Sequence, residues 1–135
     1  MSCPEASILG EVARDYPDYL RDESRRVGAA EGVVFPRTEG DVRQVLALMT
    51  KRGTPVTVQG ARTGIAAGAV PNGGLILNLS RMTEIAGLSP DPRPNAFLLR
   101  VQPGVVLSDL RKRLLQREFE DAAWSPESRD ALSRQ

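Results

Sequence analysis

Residues 56–68 read Val56-Thr57-Val58-Gln59-Gly60-Ala61-Arg62-Thr63-Gly64-Ile65-Ala66-Ala67-Gly68. The β-branched start predicts a strand, and the glycines after it predict a loop at the strand's end. Glycine leaves no Cβ in the way and tolerates positive φ, so the backbone N–H groups of such a loop can converge on an anion. Thr63 adds a hydroxyl, and Arg62 adds a permanent positive charge. The stretch therefore indicates a site for a diphosphate, and a diphosphate suggests a dinucleotide.

Composition narrows the classes of function. The chain has 135 residues and a formal net charge of +1, and no basic stripe stands out, so we predict no nucleic-acid partner. It contains no histidine and one cysteine, Cys3, which excludes an imidazole base, an internal disulfide and a thiolate metal site. We therefore assign no catalytic residue and no metal ligand. No apolar run approaches the roughly 18 residues that span a bilayer, and no signal-peptide pattern is present, so we predict a cytoplasmic protein.

A βαβ unit is predicted around the start of the loop. Residues 32–36 form a short apolar strand ending at a proline, and Thr38 is a good N-cap for a helix, with Asp41 placed to return a hydrogen bond. Gly53 can end that helix in the left-handed conformation, and residues 55–58 form the second strand, parallel to the first. The apolar positions of the helix share one face: Val42, Val45, Leu46 and Met49.

Later segments predict further elements. Strands are expected at 75–79 and 97–101, and residues 89–95 are expected to form a loop because they contain three prolines. A second helix is predicted from near Ser108. Its inner side is expected to carry Leu107, Leu110 and Leu114, whereas the Arg111-Lys112-Arg113 triplet is expected on a solvated face. Trp124 is expected in a small core or on an exposed tail.

The predicted organisation has three parts. Residues 1–30 form an N-terminal helix, which includes Ile8 and Leu9, followed by an irregular lead-in. Residues 31–117 form the main domain, and 118–135 form a polar, poorly ordered tail.

Four ordered pieces of the sequence resemble a known family. They are residues 33–36 with the helix after Thr38, residues 55–71, residues 74–82 and residues 101–105. Together they resemble the PCMH-type (vanillyl-alcohol-oxidase-like) FAD-binding domain of FAD-linked oxidases, in particular flavoproteins acting on 2-hydroxy acids, such as the glycolate oxidase flavoprotein, D-lactate dehydrogenase and D-2-hydroxyglutarate dehydrogenase. The resemblance covers Tyr19 to Gln116 and implies an α+β fold, with a small mixed sheet, a βαβ unit and flanking helices, corresponding to the first half of that domain.

The resemblance also implies the cofactor and its contacts. The FAD pyrophosphate would be wrapped by a set of loop residues: Gln59, Gly60, Ala61, Arg62, Thr63, Gly64 and Gly68. Pro36 and Ser80 would lie near the adenosine. Two residues depart from the family pattern. Arg62 stands where glycine or asparagine is common, so it could add charge or block close approach. Ala67 stands where a second glycine is common and could prevent a positive φ.

The expected function is an FAD-binding module of a flavin-dependent oxidoreductase acting on a glycolate- or D-lactate-like 2-hydroxy acid, truncated before the isoalloxazine and substrate sites. Residues 121–127 are expected to resemble the start of the segment that follows this part of the domain in other family members. Its partners would be FAD and either another flavoprotein subunit or a missing C-terminal part. One alternative is a catalytically inactive fragment or partner subunit; another is a phosphate-binding module without a preference for flavin.

Overall fold

In the computed structural model of the chain, the described residues are 12–93, 96–119 and 124–133. Cys3, the Ile8–Leu9 part of the predicted first helix and residues 121–123 lie outside them. The chain divides into two compact units, Met1–Arg81 and Met82–Gln135. Each unit has its own hydrophobic cluster or clusters, so each is described by itself.

The first unit contains a parallel sheet. Its elements in chain order are α1 (Val12–Asp15), a 3₁₀ turn (Pro17–Leu20), β1 (Gly32–Val34), α2 (Glu39–Arg52), β2 (Val56–Gln59) and β3 (Leu75–Asn78). The strand order is β1-β3-β2, and both outer strands run parallel to β3. The predicted parallel βαβ unit is therefore present, but β3 lies between its two strands. The carboxyl ends of all three strands consequently reach the same edge of the sheet.

Helix α2 has the predicted caps. The Thr38 hydroxyl accepts a hydrogen bond from the backbone N–H of Asp41, the Asp41 carboxylate accepts one from the N–H of Thr38, and Gly53 is left-handed at φ 64°. Val45 and Met49 are buried against the sheet. The assignment of Leu46 to the buried face was wrong: it is 41% exposed, and Leu48 packs against the cluster instead.

Side chains of this sheet alternate between two clusters. Val34, Leu75 and Leu77 pack with α2 on one face, while Val33 and Ile76 pack with α1 and the 3₁₀ turn on the other. This alternation follows from the two-residue period of a strand. Both faces of the sheet are covered, as is usual for parallel strands.

The second unit contains an antiparallel pair of strands. Its elements are β4 (Ile85–Pro90), β5 (Phe97–Val101), α3 (Leu107–Gln116) and α4 (Pro126–Ser133). The predicted α+β class is confirmed, with parallel and antiparallel pairing divided between two small sheets.

Strand β4 corrects the predicted loop at residues 89–95. Ser89 pairs with Leu98 and Pro90 with Phe97, whereas Pro94 and Asn95 lie outside the described residues. Proline is tolerated there because each strand of a two-stranded sheet has a free edge, where no ladder N–H is required.

The described residues after 117, which are 118–119 and 124–133, differ from the predicted poorly ordered tail. Phe119 is 2% and Trp124 is 6% exposed, their rings stack with centroids 4.6 Å apart, and Trp124 Nε1 donates to the Ile85 carbonyl at 2.7 Å. Ala131 of α4 joins the same cluster. The apolar residues of this segment follow no regular period, so the sequence pattern did not reveal that they share one core with β4.

Helix α3 also differs from its prediction. Leu110 packs against the cluster of the second unit, but Leu107, predicted as core, is 78% exposed and Leu114 is 40% exposed. Among the described helices, none is long and apolar enough to cross a membrane.

Candidate functional site

The candidate site lies at the edge of the parallel sheet where its strands end. The loop 60–68 follows β2, Pro36 follows β1 and Ser80 follows β3. In the sheet register Val34 is opposite Leu77, and Gln59 is opposite Asn78, so the three predicted segments reach one edge. Ligands of open parallel sheets bind at this edge because the loops there leave a crevice. Pro36 is buried and Ser80 is exposed.

The backbone N–H groups at the start of the loop are unpaired within the described part of the chain. No described backbone carbonyl accepts a hydrogen bond from residues 60–66; the loop closes further on, where the N–H of Val70 donates to the Ala67 carbonyl at 3.1 Å. A Cβ placed on Gly64 or Gly68 would meet no atom within 4 Å. The loop therefore combines free donors with open space, which fits a bound diphosphate.

Both residues that depart from the family pattern keep a left-handed backbone. Arg62 has φ 59° and Ala67 has φ 60°. A residue with a Cβ adopts this conformation at a cost of roughly 1–2 kcal/mol relative to the right-handed region. Ala67 therefore does not prevent positive φ in this loop; the chain keeps the glycine-like geometry with strain.

The Arg62 side chain lies on an aromatic ring. Its guanidinium carbon is 4.1 Å from the centroid of the Tyr19 ring, a cation–π distance. Arg62 Nη1 is buried and has no hydrogen-bond partner in the described part of the chain. Arg62 is therefore half-buried and anchored to the segment before β1, rather than extended into solvent.

A cleft of about 470 Å³ borders Ala61 and Arg62. Its charged lining is balanced between two signs: Asp18, Asp22 and Glu23 against Arg21, Arg25 and Arg62. The Ser24 hydroxyl, with smaller contributions from the backbone N–H groups of Ser24 and Ala69, lowers the pKa of Asp22, although burial opposes the shift. Asp22 is therefore ionised at neutral pH, and the acidic and basic side chains of the cleft balance. The cleft is therefore no better a site for a diphosphate than the free amides of the loop.

Gln59 lies beneath the loop rather than above it. It is 1% exposed, and Nε2 donates to the carbonyls of Tyr19 and Ala69, each at 2.7 Å. Both side-chain donors are therefore used within the protein. Thr63 and Gly64 are exposed, Gly60 is half-buried, and Gly68 is exposed at the far end of the loop.

Asn78 and Tyr19 also hold the loop, and neither was predicted from the sequence. Asn78 is 1% exposed and donates from Nδ2 to Gln59 Oε1 at 3.3 Å. A polar residue at the end of the apolar run 75–77 was the signal that could have revealed it, because a buried amide needs partners. No sequence signal placed Tyr19 near the loop.

Comparison with known proteins identifies similar chains. Residues 30–123 match the family model of the FAD binding domain. A D-lactate dehydrogenase of Anaerostipes hadrus is 33% identical over 110 residues, covering 79% of this chain and 22% of that protein. The glycolate oxidase subunit GlcD of Escherichia coli K12 is 38% identical over 74 residues, covering 54% of this chain and 14% of that protein.

Solved structures agree in fold. A p-cresol methylhydroxylase crystal structure superposes with a TM-score of 0.62 at 20% identity, covering 84% of this chain and 22% of that one. This likeness shows the PCMH-type fold, as the sequence predicted. The chain thus spans 22% or less of the length of the two relatives described above.

Proposed function

Because this chain belongs to the FAD binding domain family, we propose that it binds FAD with the diphosphate seated on the N–H groups of residues 60–64. The observation that carries the proposal is the combination of unpaired amides with open space at Gly64 and Gly68. Oriented N–H groups at a strand end stabilise negative charge without reorganisation, and the Thr63 hydroxyl adds a donor. Pro36 and Ser80, at the same sheet edge, are proposed to lie on the adenosine side.

The larger proposal concerns the enzyme to which such a module contributes. We propose a flavin-dependent oxidoreductase acting on a 2-hydroxy acid of the glycolate or D-lactate type, supported by the names of the two relatives. Bound FAD would supply the redox chemistry. The residues of this chain would hold and orient the diphosphate, and the substrate site would come from further chain or from another subunit. A cytoplasmic location is part of the same proposal.

A second candidate is a subunit that binds FAD without redox activity of its own. The absence of histidine from the 135 residues favours it, since no imidazole base is present. A dye-coupled assay with glycolate and D-lactate separates the two when the FAD-loaded protein is combined with the further chain or subunit that supplies the substrate site. Turnover by that complex supports the oxidoreductase, whereas FAD binding without turnover in the complex supports the second candidate.

The binding proposal is tested by titrating the protein with FAD, ADP and FMN. If loop 60–64 holds a diphosphate, both FAD and ADP bind. FMN has one phosphate and is expected to bind at least tenfold more weakly, which is a loss of about 1.4 kcal/mol in binding free energy. FAD at a hundred times its dissociation constant is expected to stabilise the protein by about 2.7 kcal/mol. Binding of ADP as tight as that of FAD would favour the phosphate-binding module instead.

A Gly64→Val variant tests the location. The Cβ that it adds meets no protein atom within 4 Å, so stability is expected to change by less than about 0.5 kcal/mol. The side chain would occupy the space above the loop and weaken FAD binding at least tenfold. The matched control is Ala47→Val, which adds the same kind of side chain at an exposed position within α2 and is expected to bind FAD like the wild type. Undiminished FAD binding by Gly64→Val would contradict this location.

A further inference from the structure

We propose that Gln59 and Asn78 act as a pair of positioning residues that hold loop 60–68 open in its binding shape. This inference rests on the proposed function, because it explains how the amides of the loop are arranged before FAD arrives. Neither side chain is proposed to touch FAD. Both act through the backbone on which the ligand would lie.

The pair is formed by the last residues of two neighbouring strands. Gln59 ends β2 and Asn78 ends β3, and the two are opposite each other in the parallel register. Each residue is 1% exposed, and Asn78 Nδ2 donates to Gln59 Oε1 at 3.3 Å. Two amide side chains are therefore buried side by side at the point where the loop leaves the sheet.

Gln59 joins the far end of the loop to its beginning. Its Nε2 donates to the carbonyl of Ala69, directly after the loop, and to the carbonyl of Tyr19 in the preceding segment, each at 2.7 Å. Tyr19 in turn supports the Arg62 guanidinium on its ring. The Gln59 side chain thus sets the distance between the two ends of the loop. It also holds the Tyr19 segment, against which the Arg62 guanidinium packs.

Asn78 holds the near end of the loop. Its Nδ2 also lies 3.4 Å from the Gly60 carbonyl, and its Oδ1 accepts from the N–H of Ser80 at 3.0 Å. The Gly60 carbonyl therefore points toward the Asn78 side chain beneath the loop. The N–H groups that follow Gly60 stay free of partners. The pair therefore contacts residue 60, residue 69 and the chain beyond β3 through a single connected network.

The arrangement is more specific than a stable core requires. Two apolar side chains could fill the same space without the desolvation that buried amides incur. A network with its polar atoms paired instead selects one backbone arrangement. Pre-organised donors bind an anion without spending interaction energy on ordering the loop. An amide pair also remains neutral at every pH, so no buried negative charge opposes the diphosphate.

The test uses Gln59→Met and Asn78→Leu, singly and together, in the full chain. Each single variant is expected to bind FAD and ADP roughly 10- to 100-fold more weakly, by analogy with the loss seen when residues that support metal ligands are removed. The double variant is expected to lose little more than either single one, because residues of one network are not additive. Faster hydrogen exchange at Val70, whose N–H closes the loop on the Ala67 carbonyl, should accompany the loss of affinity.

Val45→Ala is the matched control. Val45 is buried on the inner face of α2, so its truncation destabilises the same unit without touching the loop, and the folded protein is expected to keep wild-type FAD affinity. Urea unfolding gives the stability of every variant. Wild-type affinity and exchange in Gln59→Met, or an equal loss of affinity in Val45→Ala, would overturn the positioning role alone. A wild-type protein that binds neither FAD nor ADP would overturn the proposed function and this inference with it.

Discussion

Arg62 and Ala67 hold left-handed backbones although each carries a Cβ. Such strain persists where the surrounding structure over-determines the conformation. At Arg62 the Tyr19 ring supplies a compensating contact. No compensating contact is seen at Ala67 within the described residues, apart from the turn in which its carbonyl accepts from Val70. A substitution at Ala67 therefore measures most directly how much stability the left-handed backbone of the loop costs.

We predict that Ala67→Gly stabilises the protein. Glycine relieves the left-handed strain, and its greater freedom in the unfolded chain offsets part of the gain, leaving a net increase on the order of 0.5 kcal/mol in the free energy of unfolding. The control is the adjacent Ala66→Gly, whose φ is not positive and which is expected to lose stability. Equal losses in both variants by urea unfolding would show that Ala67 carries no strain.

Helix α2 is the element whose local signals were strongest. The capping box between Thr38 and Asp41 satisfies N–H groups at its start, and Gly53 donates to the carbonyls of Met49 and Thr50 at its end. The helix covers one face of the parallel sheet. Its caps therefore stabilise the scaffold that brings the three strand ends to one edge.

At the element scale, Thr38→Ala is expected to lower the free energy of unfolding by about 1 kcal/mol. The cause is the loss of the acceptor for the N–H of Asp41. Thr50→Ala, at an exposed position of the same helix, is the control and should leave stability unchanged or slightly higher, since alanine favours helix. Thermal or urea unfolding of both variants measures the difference.

The cap also predicts a pH dependence. Hydrogen bonding from the N–H of Arg37, then from the hydroxyl and N–H of Thr38, lowers the pKa of Asp41. A carboxyl whose pKa is lowered by folding stabilises the protein above its unfolded pKa, near ~3.9, and loses that contribution as the pH falls through the lower folded value. The wild type should therefore exceed Asp41→Asn in stability at pH 7, with the gap closing below about pH 4. A gap independent of pH would contradict this origin.

In the second unit, helix α3 exposes apolar side chains to solvent. Leu107 and Leu115 of α3 are 78% and 77% exposed, and positions eight apart share a face of a helix. In the described residues no α3 side chain is fully buried. A face of this kind is typical of interaction surfaces and of association between exposed apolar patches.

We therefore predict that the chain self-associates as its concentration rises, and that the double variant Leu107→Glu/Leu115→Glu reduces this association. Stability should change by no more than about 0.5 kcal/mol because both side chains are exposed. Sedimentation or light scattering measures the mass. Leu46→Glu, a single exposed leucine on α2, is the control and should associate like the wild type; an unchanged mass in the double variant would exclude this face.

Much of the candidate site was predictable because its signals are short. The strand before the loop, the glycines and the αL cap of α2 are all read from neighbouring residues. The burial of Gln59 was not predictable, since a glutamine beside a glycine loop looks like a ligand contact. Its role follows only from the carbonyls of Tyr19 and Ala69, which folding brings to it.

The local elements and the family were predictable from neighbouring residues alone: β5, the caps of α2, the strand-to-loop transition at Gly60 and membership of the family. Hydrophobic periodicity, helix capping and glycine turns each depend on a few neighbouring residues, so they can be predicted from the sequence. Only the tertiary structure decided that β3 lies between β1 and β2, that Arg62 rests on Tyr19 and that Phe119 and Trp124 share a core. These arrangements depend on residues distant in the chain, whose pairing is selected by packing and by hydrogen bonds that exist only after folding.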